Sequence, residues 1–166
     1  MDSKATIRQF HEEDRNKVNE LALSAWCQYA NVFSKWDTMA RFIGNVASLA
    51  HDLELIVAES GSSIVGVVGY VAPFGKREEV FPPEWAIVRM LSVSPQHRGR
   101  GIGRALTQEC IRRAKQDNAI AVGLHTSPAM DIALPMYTRM GFFFERTIPD
   151  RNGVPYALYQ LSLERP

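Results

Sequence analysis

The stretch from Trp85 to Thr126 limits the architecture most. It opens with WAIVRMLSV, an apolar run with the length and β-branched content of a central strand buried on both faces. Ser94-Pro95 ends that run, and from Ile102 the period changes: Ile102, Leu106, Cys110, Ile111 and Ala114 recur at helical spacing until QDNA stops them. A second short strand, IAVGLHT, follows. Strand, helix and strand in that order form a crossover unit, so part of the sheet is expected to be parallel.

The flanking segments supply the remaining layers. ATIRQF reads as an opening strand, and HEEDRNKVNELALSAWCQYA as an amphipathic helix with acids in its first turn and a stripe of Val18, Leu21, Ala22, Ala25 and Trp26. KWDTMARFIGNVASLAHD repeats the helical pattern through Met39, Phe42, Ile43, Val46 and Leu49. LELIVAES and SIVGVVGYVAP, joined at Gly61, are two antiparallel strands, and FGKREEVFPPEW, charged and carrying a Pro-Pro step, is a loop. Ser127 before Pro128 predicts a capped helix running to Met140 and stopped by Gly141. Pro135 inside that helix removes a backbone hydrogen bond, which predicts a bend or break between Asp131 and Pro135. FFFERTI and YALYQLSL are the last strands, separated by PDRNG, whose Asn-Gly step favours reversal. With no repeat or linker in the 166 residues, a single domain over 1–166 is expected.

Nineteen basic and eighteen acidic residues leave a net charge of +1, too little field to gather nucleic acid or a membrane surface. Any anion site must be local. Cys27 and Cys110 belong to no paired motif, so neither a disulfide framework nor a zinc site is expected. The start MDSKATIRQFHEED lacks a basic-then-apolar leader, and no apolar stretch is long enough to span a bilayer, which predicts a cytoplasmic protein.

The segment QHRGRGIGRAL, residues 96–106, carries the chemistry. Gly99, Gly101 and Gly103 alternate with Arg98, Arg100, Ile102 and Arg104 at the mouth of the helix. Glycines let a ligand approach the main chain, and a helix start offers unpaired N–H groups and a positive dipole end, so a phosphate or pyrophosphate is the expected occupant. The spacing G-x-G-x-G is neither a dinucleotide fingerprint nor a P-loop, which needs a Gly-Lys-Ser/Thr ending.

Gln96-x-x-Gly99-x-Gly101, following LSVSP and opening a helix, resembles the acetyl-CoA pyrophosphate loop of the GNAT N-acetyltransferase superfamily. ALPMYTRMGF is similar to the family's second signature, an Ala before a Tyr and then Gly-Phe, and the order of elements matches over essentially the whole chain. The resemblance implies an α/β fold with a mixed, mostly antiparallel sheet of about six or seven strands, splayed at a central parallel pair, with about four helices. It implies acetyl-CoA as co-substrate without a metal, and a primary amine, on a small molecule or peptide, as acceptor for a monomer or homodimer. The backbone N–H groups of Arg98, Gly99, Arg100, Gly101, Ile102, Gly103 and Arg104 would hold the pyrophosphate, and Gln96, which opens the motif, would belong to the same cofactor site. Leu91, Ser92 and Val93 would pair with the pantetheine arm.

Acetyl transfer to an amine needs a base, because deprotonating an alkylammonium of pKa about 10.4 at pH 7 costs about 4 to 5 kcal/mol. It also needs a donor to the acyl oxygen, which a bulge in the Leu91–Val93 strand could supply, and an acid for the departing thiolate, for which Tyr137 is the candidate. Tyr137 also sits on a stripe with Met130, Ala133, Leu134 and Met140, so a purely packing role is the alternative. Many family members carry a glutamate on the central strand where this chain has Ile87, Val88 and Arg89, and an asparagine where it has Met130 or Asp131. The base candidates are therefore Glu84, just upstream, and His125 at the end of the neighbouring strand. Trp26, Tyr29, Trp36 and the loop acids Glu78, Glu79 and Glu84 are candidates for the acceptor side. A catalytically silent acyl-CoA-binding regulator of the same fold is the competing reading.

Overall fold

The computed structural model describes residues 4–163. A single sheet runs in the order β1-β2-β3-β4-β5-β7-β6, with β1 at Thr6–Gln9, β2 at Glu54–Ser60, β3 at Ser63–Val71, β4 at Ala86–Val93, β5 at Ala121–Thr126, β6 at Phe143–Arg151 and β7 at Val154–Ser162. The described residues also form four α-helices: α1 (Arg15–Trp26), α2 (Trp36–Ile43), α3 (Ile102–Gln116) and α4 (Ala133–Arg139). Every strand pair is antiparallel except β4 with β5, the pair joined by the α3 crossover.

Both faces of the sheet are covered, which is why β2 and β3 read as continuous apolar runs rather than alternating ones. Ile56, Ala58, Val68 and Tyr70 point to one side and pack with Ile102, Leu106, Cys110 and Ala114 of α3. Leu55, Val57 and Val67 point to the other and pack with Val18, Leu21 and Ala22 of α1 and Ile43 of α2. The α3 contact is close: a Cβ on Gly66 would come within 2.8 Å of Ile102 Cγ2 and 2.9 Å of Leu106 Cδ1.

The first expected helix is α-helical only over Arg15–Trp26, with 3-10 turns at Glu12–Asp14 and Cys27–Tyr29, and three further boundaries differ from the sequence expectation. The second helix does not continue to Leu49; it ends at Ile43 with Gly44 as its cap, and Val46–His51 is a separate 3-10 turn. Glycine and asparagine in succession weaken a helix, and Asn19 Oδ1 on α1 accepts the Ala47 N–H at 2.9 Å, which fixes the restart. Ser127 caps a turn rather than a helix, accepting the Ala129 N–H at its hydroxyl (3.2 Å) and the Met130 N–H at its carbonyl (2.9 Å). α4 starts only at Ala133, so Pro135 sits in its first turn, where a missing N–H costs nothing. β6 extends three residues past Ile148 to Arg151, because Asn152 and Gly153 alone reverse the chain, with φ 48° and 78°.

The loop between β3 and β4 is held by a group without a sequence signature. The Arg77 guanidinium donates to the carbonyls of Ala72, Gly75, Pro82 and Trp85 at 2.7–2.9 Å, a knot of backbone acceptors around one side chain. The adjacent Glu78 is thereby aimed at the sheet.

Candidate active site

β4 and β5 are paired only at Ala86 and Ile87, opposite Val122 and Gly123, and then diverge. The gap widens into a cleft of about 830 Å³, lined by the free edge of β4 from Val88 to Val93. For that reason Arg89, Met90 and Leu91 are half-buried, not covered on both faces as the sequence run suggested. β4 is also distorted there. Val67 pairs with Ser92 and Gly69 with Arg89, so β4 carries one extra residue between these rungs, and Met90 takes φ 54°. Such a bulge leaves one residue outside the ladder and re-aims its backbone groups. The buried Ser92 hydroxyl donates to the Met90 carbonyl (3.2 Å) and accepts from Trp26 Nε1 (3.0 Å), clamping the end of α1 over the bulge. The side chain of Ser92 is thus committed to the protein, while Leu91 and Val93 face the cleft.

The glycine loop forms one end of the cleft. Gly99 and Gly101 take φ 76° and 77°, and a Cβ on either would meet nothing within 4 Å. The left-handed backbone requires glycine, and the space beside it is open. The first helical bond runs from the Ala105 N–H to the Gly101 carbonyl at 2.9 Å, which leaves the N–H groups of Ile102, Gly103 and Arg104 without an acceptor inside α3. Gly103 lies against α4, where a Cβ would stand 3.3 Å from Met136 Sδ.

The arginines of the loop divide in their roles. Arg98 turns back to α1, donating to the Ala25 carbonyl (3.0 Å) and Gln28 Oε1 (3.2 Å), whereas Arg104 is exposed at the cleft rim. Gln96 and Arg100 do not line the cleft, and Gln96 Oε1 instead accepts from the Ser94 hydroxyl at 2.9 Å, bracing the turn that carries the loop.

Tyr137 combines the two sequence readings. It packs in the core beside Phe142, with ring centroids 5.5 Å apart, yet it lines the cleft. Burial pushes its ionisation well above that of an ordinary phenol, so it stays a proton donor through the neutral range.

At the other end, three elements converge. The parallel register carries Arg89 on β4 level with His125 on β5, two residues beyond the last paired rung. The His125 ring lies between Phe81 and Tyr156, each centroid 5.6 Å away, and its Nε2 is 3.4 Å from Glu78 Oε1. Neither ring nitrogen has a hydrogen-bond partner among the described residues. Glu78 also pairs with Arg151 from the β6–β7 hairpin, whose guanidinium lies 5.7 Å over the Tyr156 ring. His125 and Arg151 together hold the Glu78 carboxyl down at about 2.

Glu84 is not brought to this site. It lies two residues before Ala86, at the closed end of the splay, and lines a separate shallow depression with Phe74 and Asp117. Trp26 and Tyr29 line the cleft, but Trp36 packs in the core among Met39 and Leu53.

The acetyltransferase (GNAT) family profile matches residues 13–142, the span that contains the bulge, the glycine loop and Tyr137. The chain belongs to this family. Its fold superimposes on that of Ard1 from Thermoplasma volcanium with a TM-score of 0.76 at 17% identity, covering 98% of this chain and 99% of the other. PaiA N-acetyltransferase from Thermoplasma acidophilum, solved in complex with coenzyme A, gives 0.70 at 18% identity over 96% and 99%. In sequence the chain is 37% identical over 91 residues to N-acetyltransferase 8B of Mus musculus, covering 52% of this chain and 36% of that one. The match therefore spans little more than a third of the mouse protein. Among the described residues no helix is long and apolar enough to cross a membrane.

The Glu78, His125 and Arg151 cluster has no motif in this GNAT sequence, because its members lie 26 to 73 positions apart and meet only through the hairpin and the Arg77-bound loop. Its electrostatics make a pH prediction. The carboxyl of Glu78 is depressed from about 4.5 to about 2 in the folded state, so it stabilises the protein above about pH 4.5 and the contribution disappears as pH falls towards 2. Melting curves of wild type and Glu78→Gln are expected to differ most above about pH 5, to draw together below that, and to converge only as the pH approaches about 2. A gap independent of pH would show that the carboxylate is not held by its two partners.

Proposed function

We propose that this protein transfers the acetyl group of acetyl-CoA to a primary amine by direct attack within a ternary complex. The observation that carries the reading is the divergence of β4 from β5 beside a left-handed glycine loop, which opens a strand edge and a helix start into one cleft. The N–H groups from Arg98 to Arg104 bind the diphosphate, and the free edge at Leu91, Ser92 and Val93 pairs with the pantetheine amides. The open space beside Gly99 and Gly101 fits that group.

Bound acetyl-CoA supplies an acyl carbon activated as a thioester. The chain supplies the rest. A backbone N–H re-aimed by the Met90 bulge donates to the acyl oxygen as negative charge builds there. Tyr137 donates its proton to the departing sulfur. His125 accepts the proton from the amine at Nδ1, the ring nitrogen away from Glu78, and the Glu78 carboxylate, 3.4 Å from Nε2, balances the charge the ring takes up. The amine enters between Tyr29, Tyr156 and the hairpin residues Asp150 and Asn152, which line that end of the cleft.

The alternative, a silent acyl-CoA-binding regulator, draws on the stretch Ile87, Val88 and Arg89 standing where many relatives carry a glutamate. Free-thiol release from acetyl-CoA across a panel of primary amines separates the two. Release above the acceptor-free rate is expected, and calorimetric binding of acetyl-CoA with no release for any amine would favour the regulator.

A further inference from the structure

Resting on that reading of the cleft, we propose that the acceptor is an α-amino carboxylate with an apolar side chain, and that Arg89 is the group that recognises its carboxylate. The other half-buried arginines are all engaged. Arg8 engages Asp14 and Glu59, Arg15 engages Glu12, Arg77 engages four carbonyls and Arg113 engages Glu109 and Glu54. Within the cleft itself Arg98 is bonded to α1 and Arg151 to Glu78. Arg89 is the exception: among the described residues it is the half-buried arginine for which no hydrogen bond or ion pair is formed. A partly desolvated cation without a partner is unfavourable, and its fork of N–H donors matches a carboxylate in two-point contact.

The position of Arg89 decides what that anion belongs to. The strand alternation puts Arg89 on the same sheet face as Ile87, and the parallel register sets it level with His125 across the opening between β4 and β5. One molecule spanning the gap therefore offers its nitrogen to the His125 and Glu78 side and an anion to the β4 side. Amine and carboxylate on one carbon satisfy both with the shortest link. Around this point the cleft wall is Trp26, Tyr29, Met39 and Phe42, an apolar surface suited to the amino acid's side chain. Peptide N-termini and simple amines lack the carboxylate and leave Arg89 unpaired.

Three probes isolate that group: L-phenylalanine, L-phenylalaninamide and 2-phenylethylamine, each with acetyl-CoA. Wild type is expected to favour L-phenylalanine in kcat/KM by at least about tenfold over the other two, the scale of one charge-assisted contact. That preference is expected to fall below about threefold in Arg89→Met and to recover partly in Arg89→Lys, which keeps the charge but not the fork. Equal rates for all three in wild type, or an equal loss for all three in Arg89→Met, would overturn the assignment. If none of the three releases thiol, calorimetric titration of the CoA-bound protein with L-phenylalanine and with 3-phenylpropionate separates binding from transfer. Carboxylate binding lost in Arg89→Met then sustains the role of Arg89 while acetyl transfer fails. No binding in wild type, or undiminished binding in Arg89→Met, removes the inference.

Discussion

Gly101→Glu is expected to abolish acetyl-CoA binding measured by calorimetry while the protein remains folded. The glycine takes φ 77°, so any side chain pays about 1–2 kcal/mol for the left-handed backbone, but a Cβ there meets no atom within 4 Å and nothing in the protein must move. The same conditions hold at Gly61 in the β2–β3 turn, with φ 60° and no atom within 4 Å. Gly61→Glu is therefore the matched control: both variants should lose similar melting temperature, and only the substitution at 101 should lose the cofactor. A carboxylate about 4 Å from a phosphate charge, at an effective dielectric of about 20, opposes binding by about 4 kcal/mol, or roughly a thousandfold in Kd. Affinity retained within about tenfold would remove the loop from the diphosphate site.

Tyr137→Phe is expected to lower kcat by about a hundredfold or more, the usual span for a positioned acid, with little change in acetyl-CoA affinity. The substitution removes one oxygen and keeps the ring that packs on Phe142, and the hydroxyl forms no hydrogen bond to the described residues, so folding should be almost unaffected. Because burial raises the ionisation of this phenol, a basic limb of the pH–rate profile near neutrality would belong to another group and should persist in the variant. Unchanged turnover would return Tyr137 to a packing role alone.

These two residues were legible in sequence because each carries a local signal. The glycine alternation before a helical period marks a left-handed turn opening a helix, and an Ala, Tyr and Gly-Phe spacing marks one helix and its stop. The order of strands and helices was equally legible, since hydrophobic period changes at each boundary. What misled was local evidence with a tertiary answer. Apolar spacing through Leu49 suggested one helix, but a side chain from α1 captured the Ala47 N–H and split it. Ser127-Pro128 had the chemistry of a helix cap, but Pro135 delayed the helix by a turn and a half. Glu84 is near the site along the chain and outside it in space, because the strands are still paired where it lies.

The sequence by itself determined the crossover, the glycine loop and the tyrosine, since each depends on neighbours within a few residues and on periodicities of the backbone. Only the tertiary structure decided where the strands part, which face of β4 Arg89 occupies, and that Glu78, His125 and Arg151 share one end of the cleft. The physical reason is that charge pairing and strand divergence act through space. A one-residue bulge at Met90 shifts the register of everything beyond it, and no pattern of residue types records how far two paired strands remain together.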